Sequence, residues 1–357
     1  MHKKIKVFLS GIVNSTNAQN LNCLALARHL DKSKFEVRAL TVYSGDLPVE
    51  KIEGAKYLTI RYPAKVWHPL QLIRGILWAD VSYLCKPEYW KLQRWLVRTF
   101  RKKSFGTVEG VYTGLAKDRA IEAFGSETGI REFHEFRTKS YAITRSMVEK
   151  NKHLVGLSDQ DGILYLGTDY EEFAVREKIV SALTDVILIG ADLKRKGIDD
   201  YLVLAKRFSS IRFHVAGGAV GGDDYKAQCE RSDLKNVIFY GPVTHPQLKE
   251  LLKVVQLHIF PSRAEGFPKV TLETAAAGVP SLVYSDYGAD EWITTGKDGF
   301  VVKTLDEMSA VAQDLLNHPD KLQPISDNAR EMATRFDWQV LVKEWEKEIS
   351  RLVAARQ

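Results

Sequence analysis

Two glutamates, Glu265 and Glu273, with seven residues between them, flank the run Gly266, Phe267, Pro268, Lys269 and Val270. Proline fits the first position of a helix, where its missing N–H leaves no orphan donor. The amides of Lys269 and Val270 can then point at an anion arriving at the positive end of that helix. Gly266 lets the backbone come close to a ligand. A carboxylate accepts well from paired hydroxyls, so an anion seat flanked by two such acceptors suits a phosphorylated sugar or a nucleotide better than a lone phosphate. Farther back, Arg195 and Lys196 stand just before Gly197. Two cations on a loop facing that helix would complete a diphosphate site, because they neutralise oxygens that amides satisfy only in part. The plainer reading of the pair is surface charge in a turn.

The elements that must position these groups are legible around them. Residues 257–260 are apolar and read as a strand, followed by a polar turn holding Glu265 and Gly266 and by a helix from Pro268 that carries Glu273. Gly278, Val279 and Pro280 end that helix, and residues 281–284 read as the next strand. This is a strand, loop, helix, strand unit of an α/β domain. Ligands of such domains sit at the C-terminal ends of strands, where residues 263–267 lie.

Glu265, Gly266, Phe267 and Glu273, then Ala276, Gly278, Val279 and Pro280, then Gly296, Gly299 and Phe300, resemble the donor-binding signature of the fourth family of retaining, nucleotide-sugar-dependent glycosyltransferases. The resemblance implies an α/β chain of the GT-B fold, with two Rossmann-like domains facing across a cleft and a C-terminal helix crossing back to the first domain. It implies that Glu273 binds the ribose hydroxyls and that Glu265 contacts hydroxyls of the transferred sugar, on the side where charge develops. Arg195 and Lys196 match the family's basic pair that clamps the donor diphosphate. Val243 and Thr244 fall where the family lines the nucleotide base. The donor is then a UDP-, GDP- or ADP-type sugar and the acceptor a saccharide or a lipid-linked one. No metal is required, since Arg195, Lys196 and the helix amides supply the positive charge.

A chain of 357 residues with 45% hydrophobic side chains is long enough for two cores. The boundaries read as a first domain over 1–168, a linker near 167–183, a donor domain over 184–336 and a final helix over 337–357. Cys23, Cys85 and Cys229 are far apart in sequence and show no metal spacing, and read as buried thiols in a reducing compartment. No apolar run reaches 18 residues, and the apolar part of the N-terminus is too short for a signal peptide. The expected location is cytoplasmic, with peripheral attachment to the inner face of a membrane left open. Oligomeric state is not legible.

In chain order, residues 5–9 read as the first strand, 20–29 as a helix and 35–41 as a strand. No G-x-G-x-x-G accompanies this start, which argues against a dinucleotide cofactor. The loop 11–20 corresponds to the family's first cleft loop, in which Gly11 stands where a glycine pair is common and Ser15, Thr16 and Asn17 offer contacts to an acceptor. Residues 62–77 are too irregular for one element and read as a loop and short helix. Residues 79–84 read as a strand, 88–103 as a helix and 105–112 as a strand. The last resembles a family strand ending in His-Gly, with Glu109 in the place of the histidine that contacts the sugar. Glu109 can accept a hydroxyl or act on one as a base, or it is a structural glutamate at a strand end.

Residues 86–103 hold seven basic side chains against one acid, as much net charge as the +6 of the whole chain, together with Tyr89, Trp90, Trp95 and Phe100. A basic helix with aromatics can lie on an anionic bilayer surface; a helix with a solvated basic side is the alternative. Nucleic acid is not expected, because no binding motif accompanies the charge.

Residues 140–144 and 161–166 read as strands and 146–151 as a helix. The segment 166–173, LGTDYEEF, resembles the family's closing segment of the first domain through Gly167, Asp169 and Phe173. In the second half, residues 186–189, 213–216 and 237–240 read as strands, and 199–208, 248–255 and 305–316 as helices. Asp223 and Asp224 after Gly221 and Gly222 read as a solvated turn rather than a metal site, and His258 as a core histidine. Residues 337–355 carry a helical apolar stripe through Trp338, Leu341, Val342, Trp345, Ile349 and Leu352. The function expected is retaining transfer of a sugar to a hydroxyl in surface-polysaccharide synthesis. Nucleotide-sugar epimerisation, a phosphorylase and a non-catalytic nucleotide-sugar-binding subunit are the alternatives.

Overall fold

The computed structural model describes residues 3–15, 17–43, 48–220 and 222–355. The chain forms two units, residues 1–166 with 341–357, and residues 167–340. The segment 167–183, expected as a linker, therefore lies in the second unit, and most of the final helix, Trp338–Ala354, lies in the first.

The first unit is built on strands β1 (Ile5–Ile12), β2 (Phe35–Val42), β3 (Ala55–Ile60), β4 (Val81–Tyr83), β5 (Lys103–Val108) and β6 (Lys139–Ala142), in spatial order β3-β2-β1-β4-β5-β6 with every pairing parallel. The second unit repeats the plan with β7 (Asp185–Asp192), β8 (Arg212–Val220), β9 (Val237–Gly241), β10 (Leu257–Phe260), β11 (Ser281–Tyr284) and β12 (Gly299–Val302), ordered β12-β11-β10-β7-β8-β9 and again parallel. In each sheet the chain winds outward from its first strand in one direction and then returns to wind in the other. The reversal falls between β1 and β4 and between β7 and β10. In open parallel sheets such a switch point is where a ligand crevice forms, because the loops on either side diverge to opposite faces. The near-continuous burial of β4, β10 and β11 is what a parallel sheet covered on both faces demands.

Several elements differ from the sequence expectation. Residues 62–77 form one long helix, Ala64–Trp78, that keeps Pro69 inside it. The basic helix is shorter than 88–103: it covers Trp90–Thr99. It stops because Arg101 takes φ 47°, which lets the Lys102 amide reach back to the Val97 carbonyl at 2.9 Å and closes the last turn. Lys103 already belongs to β5. Residues 161–166 form no strand, only an isolated bridge between Ile163 and Ala142. Asp223 and Asp224 lie in the first turn of the helix Gly222–Arg231, not in a loop, where acidic side chains suit the helix dipole; Gly221 lies outside the described residues. Strand β3 and the helices Gly114–Phe124, Glu127–Glu135 and Leu322–Thr334 had no counterpart in the sequence reading.

The final helix places its apolar stripe as its spacing required: Trp338, Val342, Trp345, Ile349 and Leu352 are all buried, while Leu341 is only part-covered. Trp345 packs edge-on to Tyr83 and Phe105, with its indole N–H donating to the Tyr165 carbonyl at 3.2 Å. Tyr141 donates to Glu348 at 2.8 Å, and the Asp31 amide donates to Glu346 at 2.8 Å.

Candidate functional site

The second unit's switch point is built by two glycines. Gly190 in β7 leaves room for the Lys196 side chain, since a Cβ there would stand 2.5 Å from Lys196 Cγ. Gly197 has φ +83°, and a Cβ on it would meet the Pro261 carbonyl oxygen at 2.1 Å. The turn after β7 can therefore press against the loop after β10, which brings residues about seventy positions apart into one cluster. Glu265 Oε1 accepts from Lys196 Nζ at 2.8 Å, from Arg195 at 2.9 Å and from the Ser262 hydroxyl at 2.7 Å. Arg195 also reaches the Ala264 carbonyl at 3.3 Å.

Lys196 is nearly enclosed, with its ammonium 4.8 Å from the centre of the Phe260 ring, while Arg195 remains half exposed. Burial lowers the Lys196 pKa and the Glu265 carboxylate opposes that shift. The expectation placed both cations around a diphosphate; here they meet on the carboxylate expected to touch the sugar. Two cations share one carboxylate, with Asp192 at the end of β7 accepting from the Arg195 amide at 3.2 Å, and Arg195 is the more exposed of the two cations.

Glu273 stands on a helix that begins later than expected. The helix is Val270–Ala276, with the Thr271 amide bonded to the Pro268 carbonyl at 3.0 Å, so Pro268 and Lys269 precede it. At seven residues it carries a weaker dipole than an anion seat at Pro268 supposed. Gly266 and Val270 are half-buried, Pro268 is buried, and Lys269 Nζ sits 5.7 Å from the centre of the Trp338 ring. The Phe267 ring packs on Trp292 and Phe336, so its side chain serves the core.

Burial pushes the Glu273 carboxyl up, against the pull of His245, Lys269 and Lys196. No hydrogen bond holds this carboxylate among the described residues. His245 follows Val243 and Thr244. Val243 is half-buried, and Thr244 caps the helix His245–Val254 through a reciprocal pair with Gln247. The His245 ring is held by Glu172 at 2.6 Å, which raises its pKa.

The His245–Glu172 pair was missed in the sequence, because the two lie 73 residues apart and no motif joins them. A second missed cluster has Arg263 stacked 4.0 Å from the Tyr284 ring, with Tyr284 donating to Asp200 at 2.7 Å and Arg263 reaching Asp286 at 3.3 Å. His258 is buried as expected: Nδ1 pairs with Ser281 at 3.0 Å, Nε2 has no hydrogen-bond partner among the described residues, and burial lowers its pKa to about 3.

In the first unit Glu109 is fixed by neutral donors. Thr107 donates at 2.6 Å, Tyr83 at 3.0 Å and Asn22 at 3.1 Å. Gly11 has a packing role, since a Cβ there would stand 2.7 Å from Cys23 Sγ. Asn17 caps the helix Ala18–His29 and accepts from Lys86 at 3.0 Å; Thr16 lies outside the described residues. Cys23 and Cys85, distant in sequence, have their sulfurs 3.6 Å apart, and the Cys85 amide donates to Ser10 at 3.1 Å. Among the described residues, no group of three or more metal-ligating side chains converges, and no helix is long and apolar enough to cross a membrane.

Residues 169–332 match the family described as glycosyl transferases group 1. The alpha-galactosylglucosyldiacylglycerol synthase of Streptococcus pneumoniae is 29% identical over 185 residues, 48% of this chain and 49% of that one. The capsular polysaccharide biosynthesis glycosyltransferase CapM of Staphylococcus aureus is 26% identical over 222 residues, 58% of each. The chain thus spans about half the length of these curated relatives. In structure it resembles the sucrose-phosphate synthase of Thermosynechococcus elongatus, with TM-score 0.79 at 15% identity over 99% of this chain and 100% of that one. It also resembles Anabaena Alr3699/HepE, solved with UDP and glucose, with TM-score 0.74 at 15% identity over 97% and 99%. Residues 169–332 are thus similar to the glycosyl transferases group 1, and the two parallel sheets carry the GT-B fold.

Proposed function

We propose that the protein is a retaining glycosyltransferase that moves a sugar from a nucleotide-diphosphate sugar to a hydroxyl of a saccharide or lipid-linked acceptor. The observation that carries this reading is the convergence of Arg195, Lys196 and Ser262 on Glu265, beside the unbonded Glu273. An arriving diphosphate competes with Glu265 for the two cations. Half-exposed Arg195 turns to it and the enclosed Lys196 is shared with it, which leaves Glu265 to accept from sugar hydroxyls. A mostly enclosed carboxylate without a hydrogen bond is costly unless a ligand supplies donors, and the paired hydroxyls of a ribose do so for Glu273. Val243 and Thr244 would then border the base.

Catalysis in this reading is electrostatic. The cations stabilise the charge that builds on the departing diphosphate beside an oxocarbenium-like sugar. The departing phosphate oxygen takes the proton of the incoming hydroxyl on the same face. In this scheme the protein's own groups supply the positive charge, and no metal enters. Glu109 is assigned to the acceptor, where its anchored carboxylate orients a hydroxyl by accepting from it. The names of the relatives, a glycolipid synthase and a capsular polysaccharide enzyme, favour a glycan or glycolipid acceptor.

The test is a thermal-shift panel of nucleoside diphosphates and their sugars on wild type and on Glu273→Ala. One nucleotide should stabilise the wild type and not the variant; saturation to a hundredfold over Kd corresponds to about 2.7 kcal/mol. Stabilisation by none of them removes the donor assignment. The anomeric configuration of the product, read by NMR, decides retention.

A further inference from the structure

We propose that the segment 170–178 braces the helix His245–Val254 for nucleotide binding, with Glu172 and Lys178 as positioning residues at its two ends; this rests on the donor site proposed above. The helix begins directly after Val243 and Thr244, which border the base in that reading. At its start Glu172 accepts from His245 Nδ1 at 2.6 Å, and the Phe173 ring lies 5.1 Å from the imidazole. At its end Lys178 Nζ donates to the Leu252 carbonyl and, at 2.5 Å, to the Val255 carbonyl. The last carbonyls of a helix lack partners within it, and a cation suits them. Between the two ends Lys249 donates to the Glu171 carbonyl at 3.2 Å. One stretch of chain therefore grips the helix at both ends and in the middle.

The brace is itself anchored from another side. Arg330 donates to the Val175 carbonyl at 3.3 Å, and Gln323 accepts from the Val180 amide at 2.7 Å and donates to the Lys178 carbonyl at 3.3 Å. Both stand on the helix Leu322–Thr334, which packs on the helix that carries Glu273. The one-turn helix Tyr170–Phe173 packs on the Glu273 helix as well as on His245–Val254. A displacement of the brace therefore moves both elements that would hold the nucleotide, one at its base and one at its ribose. Lys178 is buried and bonded to carbonyls, with no carboxylate on it among the described residues; burying an ammonium in this way is costly.

The groups around these two contacts make them sensitive to protons. His245 faces Glu172 on the brace and Glu273 on the next helix, and its bond to Glu172 raises its pKa above the ordinary 6.5 against the effect of burial. Glu273 in turn faces His245, Lys269, Glu172 and Lys196. Lys178 faces Arg330, which is paired with Asp327; burial, and then Arg330, lowers the Lys178 pKa from 10.5 to about 7. The charged His245–Glu172 pair is complete at low pH and is lost as pH rises through the raised value. The Lys178 ammonium loses its proton as pH rises through about 7. Both ends of the brace thus loosen in the same direction.

The experiment measures the Kd of UDP, GDP and ADP by calorimetry from about pH 6 to about pH 9 on the full chain, as wild type, Glu172→Gln and Lys178→Met. Protonation of the nucleotide itself cancels when each variant is compared with wild type at the same pH. At about pH 6 each variant should bind the preferred nucleotide about tenfold more weakly, the scale of an ordinary coupling between sites. By about pH 9 the gap should close, because the wild type has then lost the same contacts. Glu172 is part-exposed, so its variant stays folded and decides the matter should Lys178→Met fail to fold. A gap of constant size at every pH overturns the proposal, since plain structural damage does not titrate away. Affinities equal to wild type throughout also overturn it and leave the donor site standing. Wild type that binds none of the three nucleotides removes the donor site, and the brace's role with it.

Discussion

The two sheets share one winding plan, yet their switch points are furnished in opposite ways. Between β7 and β10 stand Lys196, Arg195, Ser262 and Glu265, an ionic cluster with one cation half in solvent. Between β1 and β4 stand Ser10, Gly11, Cys23 and Cys85, neutral and buried, with Glu109 nearby held by a phenol, a hydroxyl and an amide. Topology supplies the same opening twice, and the side chains decide what each can receive. The second suits a multiply charged anion that must also be released. The first holds its carboxylate on neutral donors, and an anchored acceptor fits a hydroxyl-bearing molecule.

The largest expected effect separates the two. Arg195→Ala and Lys196→Ala should each lower sugar transfer by about 10²–10³-fold, the range seen when one preorganised charge-stabilising group is removed. Because Arg195 is half exposed, its variant should melt close to wild type; turnover assays beside melting curves check both, and an unchanged rate would erase the contrast. Next, Gly197→Ala must fit a Cβ against the Pro261 carbonyl at positive φ. It should cost about 3 kcal/mol of stability, read from the denaturant midpoint.

A smaller effect comes from pH. His258 is held neutral by burial, with its pKa lowered from 6.5 to about 3. The unfolded chain takes up a proton there as pH falls below about 6.5 while the folded one does not. Its contribution is therefore complete above pH 6.5 and is lost between 6.5 and 3, by at most about 1.4 kcal/mol per pH unit. His134 in the first unit is also buried with a lowered pKa, driven by burial and then by Arg137. Unfolding of His258→Asn followed over that range should show a flatter dependence than wild type; an unaltered slope would mean that other groups carry it. The smallest effect is expected of Cys85→Ala, about 1–2 kcal/mol for one small buried group with no loss of nucleotide binding. Impaired nucleotide binding in that variant would show that the neutral switch point takes part in donor capture.

The sequence exposed the strands best where apolar runs alternate with glycine turns, as at 257–302. Helix Ala64–Trp78 escaped because Pro69 interrupts the pattern that usually marks a helix, although the burial of Leu72 and Ile76 holds it together. The basic helix read too long because charge continues past its end, while the turn that stops it depends on the φ of Arg101, which no residue type announces. Glu265, Glu273, Arg195 and Lys196 could be named from their types and spacing. That both cations bind Glu265 could not, since it follows from the close approach that Gly190 and Gly197 permit. The meeting of Cys23 with Cys85 is likewise a product of tertiary packing across 62 positions.

The helix Trp338–Ala354 puts its later residues in the first unit although they come after the whole of the second in the sequence. During synthesis the first sheet must therefore wait, with Tyr83 and Phe105 lacking Trp345, until the second unit has been made. The second unit has nearly all of its own residues by then. Its sheet can close first, and the first unit matures last, when the ribosome delivers the helix that covers it.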